Sequence, residues 1–273
     1  MPIRKVVLAI SALALSSIAA SAADMAMRTK APPIVVDPSY NWSGFYIGGN
    51  VGYGWGNADT SFNPLPSAVA FVNLAPTTLG LDPQGVLGGV QAGYNWQAGK
   101  FVFGLEADIQ ASDIHGNAVL TPIIQNNGTP FPGAGFLAAS QRIDWFGTVR
   151  ARAGFTPVDR LLLYVTGGLA YGNVSYSAQT DFRPGGTIQY PAAFSRTKVG
   201  WTAGAGAEWA FAQNWSAKVE YLYIDLGNES TIANPTPANP PFQVGYNWKT
   251  TDHIARVGLN YKFGWGGPVV AKY

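Results

Sequence analysis

From residue 44 to residue 263 the apolar side chains recur with a period of two, in eight separate stretches, and nothing else in the chain constrains its fold as strongly. Successive side chains of an extended chain point to opposite faces, so this period writes two faces onto one strand. The last stretch shows it most plainly. Ala255, Val257, Leu259, Tyr261 and Phe263 share one side, and Arg256, Gly258, Asn260 and Lys262 share the other. The first sets Phe45, Ile47, Val51, Tyr53 and Trp55 against Tyr46, Gly48, Asn50, Gly52 and Gly54. The second (86–96) ends on Trp96, and the third (101–110) carries Glu106 and Asp108 opposite Phe101, Phe103 and Leu105. The fourth (141–155) sets Ile143, Trp145, Val149 and Ala151 against Arg142, Asp144, Thr148, Arg150 and Arg152. The fifth (161–172), sixth (198–211) and seventh (215–223) follow, with Glu208, Lys218 and Glu220 on the polar side.

The connections sort by parity. Tight turns follow the second, fourth and sixth stretches, at Ala98-Gly99-Lys100, at 156–160 and at Ala212-Gln213-Asn214. The other connections are long and rich in Pro, Asn, Gly and Thr. An even strand number, alternating short and long connections and both ends on the short-turn side are what a membrane-crossing barrel requires, whereas a soluble sandwich has no reason to sort its loops. The expected fold is all-β: an eight-stranded antiparallel up-and-down transmembrane β-barrel over 44–263, its apolar sides facing lipid. Strands of roughly 10–15 residues are long enough to cross with tilt.

The polar sides mix glycine with both signs of charge. Eight strands leave an interior just wide enough for side chains. Glycine there makes room for long Arg and Lys stems. The pattern therefore predicts a structural charge network in the lumen, made of Glu106, Asp108, Arg142, Asp144, Arg150, Arg152, Glu208, Lys218, Glu220, Arg256 and Lys262. Such charges must pair, because removing one partner costs about 3–5 kcal/mol. Two aromatic girdles are predicted on the outer sides. Trp96, Phe101, Phe155, Phe211 and Trp215 fall at the short-turn end, and Trp55, Trp145 and Trp201 fall toward the long loops. Amphipathic rings suit the headgroup region.

Arg4 and Lys5, the apolar run 6–18 and the small residues Ala20-Ser21-Ala22 read as a secretory signal peptide over 1–22. Its removal takes two cations and leaves acids and bases balanced, so the precursor's net charge of +2 is no argument for a nucleic-acid partner. Residues 23–43 read as a flexible Pro-rich periplasmic leader and 264–273 as a short periplasmic tail, since Gly266-Gly267-Pro268 should end the strand.

No pattern for chemistry emerges. The chain has no cysteine. His115 and His253 lack metal-ligand spacing. Glu106 and Asp108 could in principle divide acid and base roles, but ion pairing with the fourth-strand arginines is the simpler reading. Asp113 and His115 sit near the outer end of the third strand without a third member. Gly52-x-Gly54-x-Gly56 is followed by no helix or phosphate-loop lysine. The sequence thus predicts no catalytic residue, no metal and no cofactor.

Asn41-Trp-Ser-Gly-Phe-Tyr-Ile-Gly-Gly-Asn-Val-Gly-Tyr-Gly-Trp55, together with 85–96, 201–208 and Val257-Gly-Leu-Asn-Tyr-Lys-Phe263, resembles the small porin-like, immunogenic outer-membrane proteins of Gram-negative bacteria of the rhizobial type. The resemblance covers essentially the whole chain after residue 22. It implies an outer-membrane barrel with surface-exposed loops, envelope integrity and host contact, and no catalytic residues. It also implies contact with outer-membrane lipid and with the barrel assembly machinery, for which the aromatics Tyr261 and Phe263 would be the signal, with Tyr273 as the alternative. The expected function is structural: envelope support and display of four external loops. A small weakly selective channel, or an adhesin or receptor acting through the loops on host-surface ligands, are the alternatives.

Overall fold

The computed structural model describes residues 40–65, 73–132, 135–182, 188–236 and 243–264. The signal peptide, most of the leader and the tail from 265 onward lie outside the described residues. Ten strands are present among those described: β1 (Gly44–Gly56), β2 (Asp59–Pro64), β3 (Thr77–Gly80), β4 (Gln84–Ala98), β5 (Phe101–Leu120), β6 (Phe136–Val158), β7 (Leu161–Asp181), β8 (Gln189–Ala210), β9 (Trp215–Ala233) and β10 (Val244–Lys262). All belong to one antiparallel sheet, and β1 also pairs with β10, from Tyr46–Lys262 to Gly56–Asp252. That seam closes the barrel, which leaves no free sheet edge at membrane depth.

The two extra strands are outer halves of predicted ones. β1 breaks at Asn57–Ala58 and resumes as β2, which keeps β10 as its neighbour (Thr60–Trp248 to Pro64–Val244). β3 pairs with β2 as β4 pairs with β1. The wall is therefore built from eight strand paths. It is much taller than a bilayer needs: β6 has 23 residues, whereas roughly 9–11 tilted residues span the hydrocarbon. Much of what reads as loop in the sequence is strand.

The reason is an inversion of polarity along the strands, which β7 and β10 show without a change of parity. In the lower half of β7, Leu163, Val165 and Leu169 face outward and are exposed, while Tyr164 and Thr166 are buried inside. Farther up the same strand, Val174, Tyr176 and Ala178 are buried inside and Ser177 is exposed outside. β10 repeats the pattern. Val257 and Leu259 face outward below, whereas Val244, Tyr246 and Trp248 are buried inside above. The lower half is an inside-out protein with charges within; the upper half is an ordinary apolar core within a polar wall. That core runs through Phe62, Leu74, Ile114, Ile143, Phe146, Tyr176, Tyr190, Trp248 and Ile254. The level at which polarity inverts marks the edge of the apolar solvent.

A second, smaller core lies at the short-turn end. Tyr40 and Trp42 pack with Val102, Leu162, Tyr164 and Ala210. Trp42 Nε1 donates to Asp159 O at 3.0 Å, and Trp42 N–H donates to Gln97 Oε1 at 2.7 Å. Residues 40–43, expected to end a flexible leader, instead form a floor across the barrel mouth. Burial of two aromatic rings favours this strongly. It also pushes the Tyr40 phenol up to about 12, helped by the Glu208 carboxylate and opposed by Arg160.

Candidate functional site: a sealed ionic layer and an aromatic-ringed wall

Just above the floor, four carboxylates and four cations meet inside the barrel. Glu106 is the hub: its oxygens lie 2.5 Å from Arg150 Nη2, 3.0 and 3.1 Å from Lys218 Nζ and 3.2 Å from Arg152 Nη1. Asp108 Oδ2 accepts from Arg150 at 3.0 Å, Arg256 at 2.9 Å and Thr148 Oγ1 at 2.8 Å. Glu220 accepts from Arg150 at 3.1 Å and from Arg256 Nε at 2.7 Å. Glu208 accepts from Arg152 at 2.8 Å and Ser216 at 2.6 Å. All eight residues are buried, Glu106 and Arg150 to 1% exposure each. The layer is neutral as a whole, which is how charge survives away from water.

Two phenols and an amide chain complete it, and sequence reasoning did not assign them. Tyr46 Oη donates to Glu106 at 2.7 Å and Tyr164 Oη to Glu220 at 2.9 Å. The Arg152 guanidinium lies 3.9 Å from the Tyr164 ring centre, a close cation–π contact. Each phenol fits over a glycine: a Cβ at Gly93 would overlap Tyr46, and one at Gly206 would overlap Tyr164. An inward tyrosine with glycine as its register partner on the adjacent strand, Gly93 for Tyr46 and Gly206 for Tyr164, was the signal available in the sequence. Below, Asn50 Nδ2 donates to Gln91, Gln91 Nε2 to Asn260 and Asn260 Nδ2 to Glu208, each at 2.7 Å.

Three expected members of the network are elsewhere. Between Ile143 and Trp145 the β6–β7 register shifts, as it does opposite Ala111–Ile114 on β5. This β-bulge exchanges the faces of the strand. Above it, Ile143 points inward and is buried, while Arg142 lies on the outer wall. Arg142 pairs there with Asp113 and Asp144, at 3.4 Å each. Asp144 sits at the bulge itself and accepts from Ser175 Oγ at 2.8 Å. Lys262 stays near the floor, where its ammonium bonds Asn41 O and lies 4.2 Å from the Tyr40 ring centre. The strand is ending there, and the floor segment offers a closer acceptor than any lumen carboxylate. Asp113 and His115 do meet, His115 Nδ1 lying 2.8 Å from the Asp113 carbonyl, but on the same exposed outer wall.

The outer surface carries aromatic side chains toward both ends of the lower wall. At the short-turn end Trp96, Phe101, Phe155, Phe211 and Trp215 are exposed, and Phe101 packs on Phe155 with centroids 5.9 Å apart. Tyr261 sits edge-on to Trp215 at 5.1 Å, and Phe263 stacks on Phe45 at 5.6 Å across the seam. At the other end Trp55 stacks on His253, Trp145 meets Tyr171 edge-on and Trp201 packs on Tyr223. His253 was not expected in this ring; its Nδ1 lies 2.5 Å from Tyr221 Oη. Between the rings the outer wall is a continuous apolar belt, including Ile47, Val51, Val90, Ile109, Val219 and Val257.

The family described as outer membrane protein beta-barrel domain matches residues 10–263. This chain belongs to that family. Among curated relatives, the 31 kDa outer-membrane immunogenic protein of Brucella melitensis is 37% identical over 95% of this chain and 100% of its own. The 22 kDa outer membrane protein of Rhizobium leguminosarum is 28% identical, over 84% of this chain and 81% of its own. Of solved structures, the outer membrane protein OprG of Pseudomonas aeruginosa superposes with a TM-score of 0.50 at 11% identity, covering 83% of this chain and 99% of that one. The family places this protein in the outer membrane. The exposed apolar belt is then the surface that lipid covers, and the two aromatic rings lie at its two margins.

Proposed function

We propose that the protein is a structural element of the outer membrane: a closed, non-conducting barrel that supports the envelope and displays its upper wall and external connections at the cell surface. The observation that carries this reading is the sealed interior. The floor at Tyr40 and Trp42, the neutral ionic layer and the apolar upper core occupy the lumen in succession. A solute would have to separate buried ion pairs and then cross an apolar core. No catalytic role is proposed, since Glu106 and Asp108 are each engaged by guanidinium groups and shielded from solvent.

Surface display draws on a separate observation: the wall extends well past its lipid belt, and the Brucella relative carries "immunogenic" in its name. The test is recording from purified protein in planar bilayers, paired with antibody labelling of intact cells through residues 121–132. The expected result is no stepwise conductance and clear labelling. Reproducible single-channel steps would replace the structural reading with a pore.

A further inference from the structure

Between β8 and β9 the barrel wall is interrupted in a way that the sealed interior does not explain. Pairing between β8 and β9 stops at Trp201 and Asp225. Yet β8 continues along β7 as far as Gln189, and β9 continues along β10 as far as Ala233. Gln189 and Thr236 close the split at its top, with N–H to carbonyl distances of 3.0 and 2.7 Å. The split has a local cause. Gly227 takes φ +76° and donates its N–H to Asp225 Oδ1 at 2.7 Å, while the register with β10 shifts opposite, at Thr250/Thr251. A positive φ comes at little steric cost only to glycine, so β9 turns away from β8 at a fixed point. That point lies just above Trp201 and Tyr223, a pair in the upper aromatic ring. The split therefore opens at the height of the outer headgroups.

Its sides are charged and its back is aromatic. From β8, Arg196 Nε lies 3.0 Å from Glu229 Oε1 and Lys198 Nζ lies 2.7 Å from Glu229 Oε2 on β9. Lys198 also donates to Asn228 O at 2.6 Å. Behind them Tyr176, Phe194 and Trp248 pack in a triangle, with centroids 5.3, 5.6 and 5.3 Å apart. The Arg196 guanidinium lies 5.9 Å from the Phe194 ring centre. Trp248 Nε1 is buried behind Phe194 and has no acceptor among the described residues.

Charged side chains are a common guard on free strand edges. That accounts for Lys198, which caps a β9 carbonyl. Arg196 is different. It brings a second positive charge to a single carboxylate, and its side chain remains 63% exposed. An exposed guanidinium is a phosphate receptor in fixed geometry.

We propose that the β8–β9 split is a binding port for a phosphate-bearing lipid headgroup of the outer leaflet. The phosphate sits on Arg196 and Lys198, and the sugar or glycerol portion lies against Phe194 in front of Trp248. Glu229 holds the two cations in place without neutralising both. The height of the port, at the upper aromatic ring, selects a membrane headgroup over a dissolved anion.

The test uses the intact barrel in mild detergent, equilibrated with mixed micelles of the diphosphorylated glucosamine-disaccharide lipid of Gram-negative outer leaflets. Retained lipid is counted by native mass spectrometry. The arms are the same lipid with its phosphates removed, inorganic phosphate as competitor, and the variants Arg196→Gln, Arg196→Gln with Lys198→Gln, and Arg142→Gln as an exposed outer-wall control. The expected result is an about tenfold fall in retention for the double variant, a smaller fall for Arg196→Gln, and none for Arg142→Gln. The dephosphorylated lipid should be lost from wild type, and inorganic phosphate should not compete. Equal retention by wild type and Arg196→Gln would overturn the port, as would equal retention of dephosphorylated lipid. Efficient competition by inorganic phosphate would make it an anion site instead. If the double variant keeps its lipid but associates into dimers, the cations are edge guards and the proposal fails. Heat-dependent gel migration checks that each variant is folded; Arg196, exposed and outside the β8–β9 ladder, leaves a foldable single variant to decide the matter.

Discussion

At the scale of single residues, the ionic layer separates buried charge from exposed charge on one strand. Arg150 and Arg142 both lie on β6 and both pair with carboxylates, yet Arg150 is 1% exposed and the Arg142 side chain 56%. The physics differs accordingly. An exposed pair contributes about 0–1 kcal/mol, whereas removal of one partner from a buried pair costs about 3–5 kcal/mol. Glu106→Gln should therefore destabilise the barrel by about 3–5 kcal/mol and Arg142→Ala by less than about 1 kcal/mol. Urea unfolding in lipid vesicles measures both. Lys218→Met alone should also be costly, but added to Glu106→Gln it should cost less than the two changes summed, because only the double change keeps the layer neutral. Strict additivity would show that Glu106 and Lys218 are not coupled. The eight residues of the layer were legible in the sequence because their strands keep one register through the membrane. Arg142 and Asp144 were not, because a bulge inserts no residue type of its own and a single shifted residue reverses every face beyond it.

At the scale of elements, the lower strands were legible and the upper ones were not. A period of two with apolar residues outward is visible from β1 to β10 wherever lipid is the solvent. Above the membrane the same strands carry Asn173, Ser175 and Ser177 outward and Val174, Tyr176 and Ala178 inward, a weaker alternation with its sense reversed. Pro191 within β8 and Gly245 within β10 add loop-like residues to genuine strands. The floor was hidden for another reason: Tyr40 and Trp42 follow a proline-rich stretch and show no period at all. Their burial is tertiary. Trp42→Ala removes a ring that is 2% exposed and leaves the Asp159 carbonyl without its donor. It should lower stability by about 3 kcal/mol. In addition, limited proteolysis in the leader should become faster from the periplasmic side. An unchanged unfolding midpoint would show that the floor adds nothing to the barrel.

At the scale of the whole molecule, the closing seam is the feature to test. Val51 and Val257 are register partners on the lipid face of β1 and β10, and partners across an antiparallel pair lie about 4.5–5.5 Å apart at Cα, within disulfide reach. The chain has no cysteine of its own. Val51→Cys with Val257→Cys should cross-link under mild oxidation and shift mobility on a non-reducing gel. Val51→Cys with Tyr261→Cys, four residues out of register, should not. Linkage of the mismatched pair in place of the matched one would mean a different seam.

The ionic layer also bears on how such a chain can come to be folded. Its charges come from β5, β6, β8, β9 and β10, and its phenols from β1 and β7. An assembly intermediate that lacked β10 would hold Asp108 and Glu220 without Arg256, and it would have to keep them hydrated. Water can leave the lumen only when the first and last strands meet. Dehydration and ring closure are thus one event, and every partial barrel stays wet. The layer acts as a completion check written in charge: the chain becomes dry, rigid and hard to unfold only once its last strand is in place.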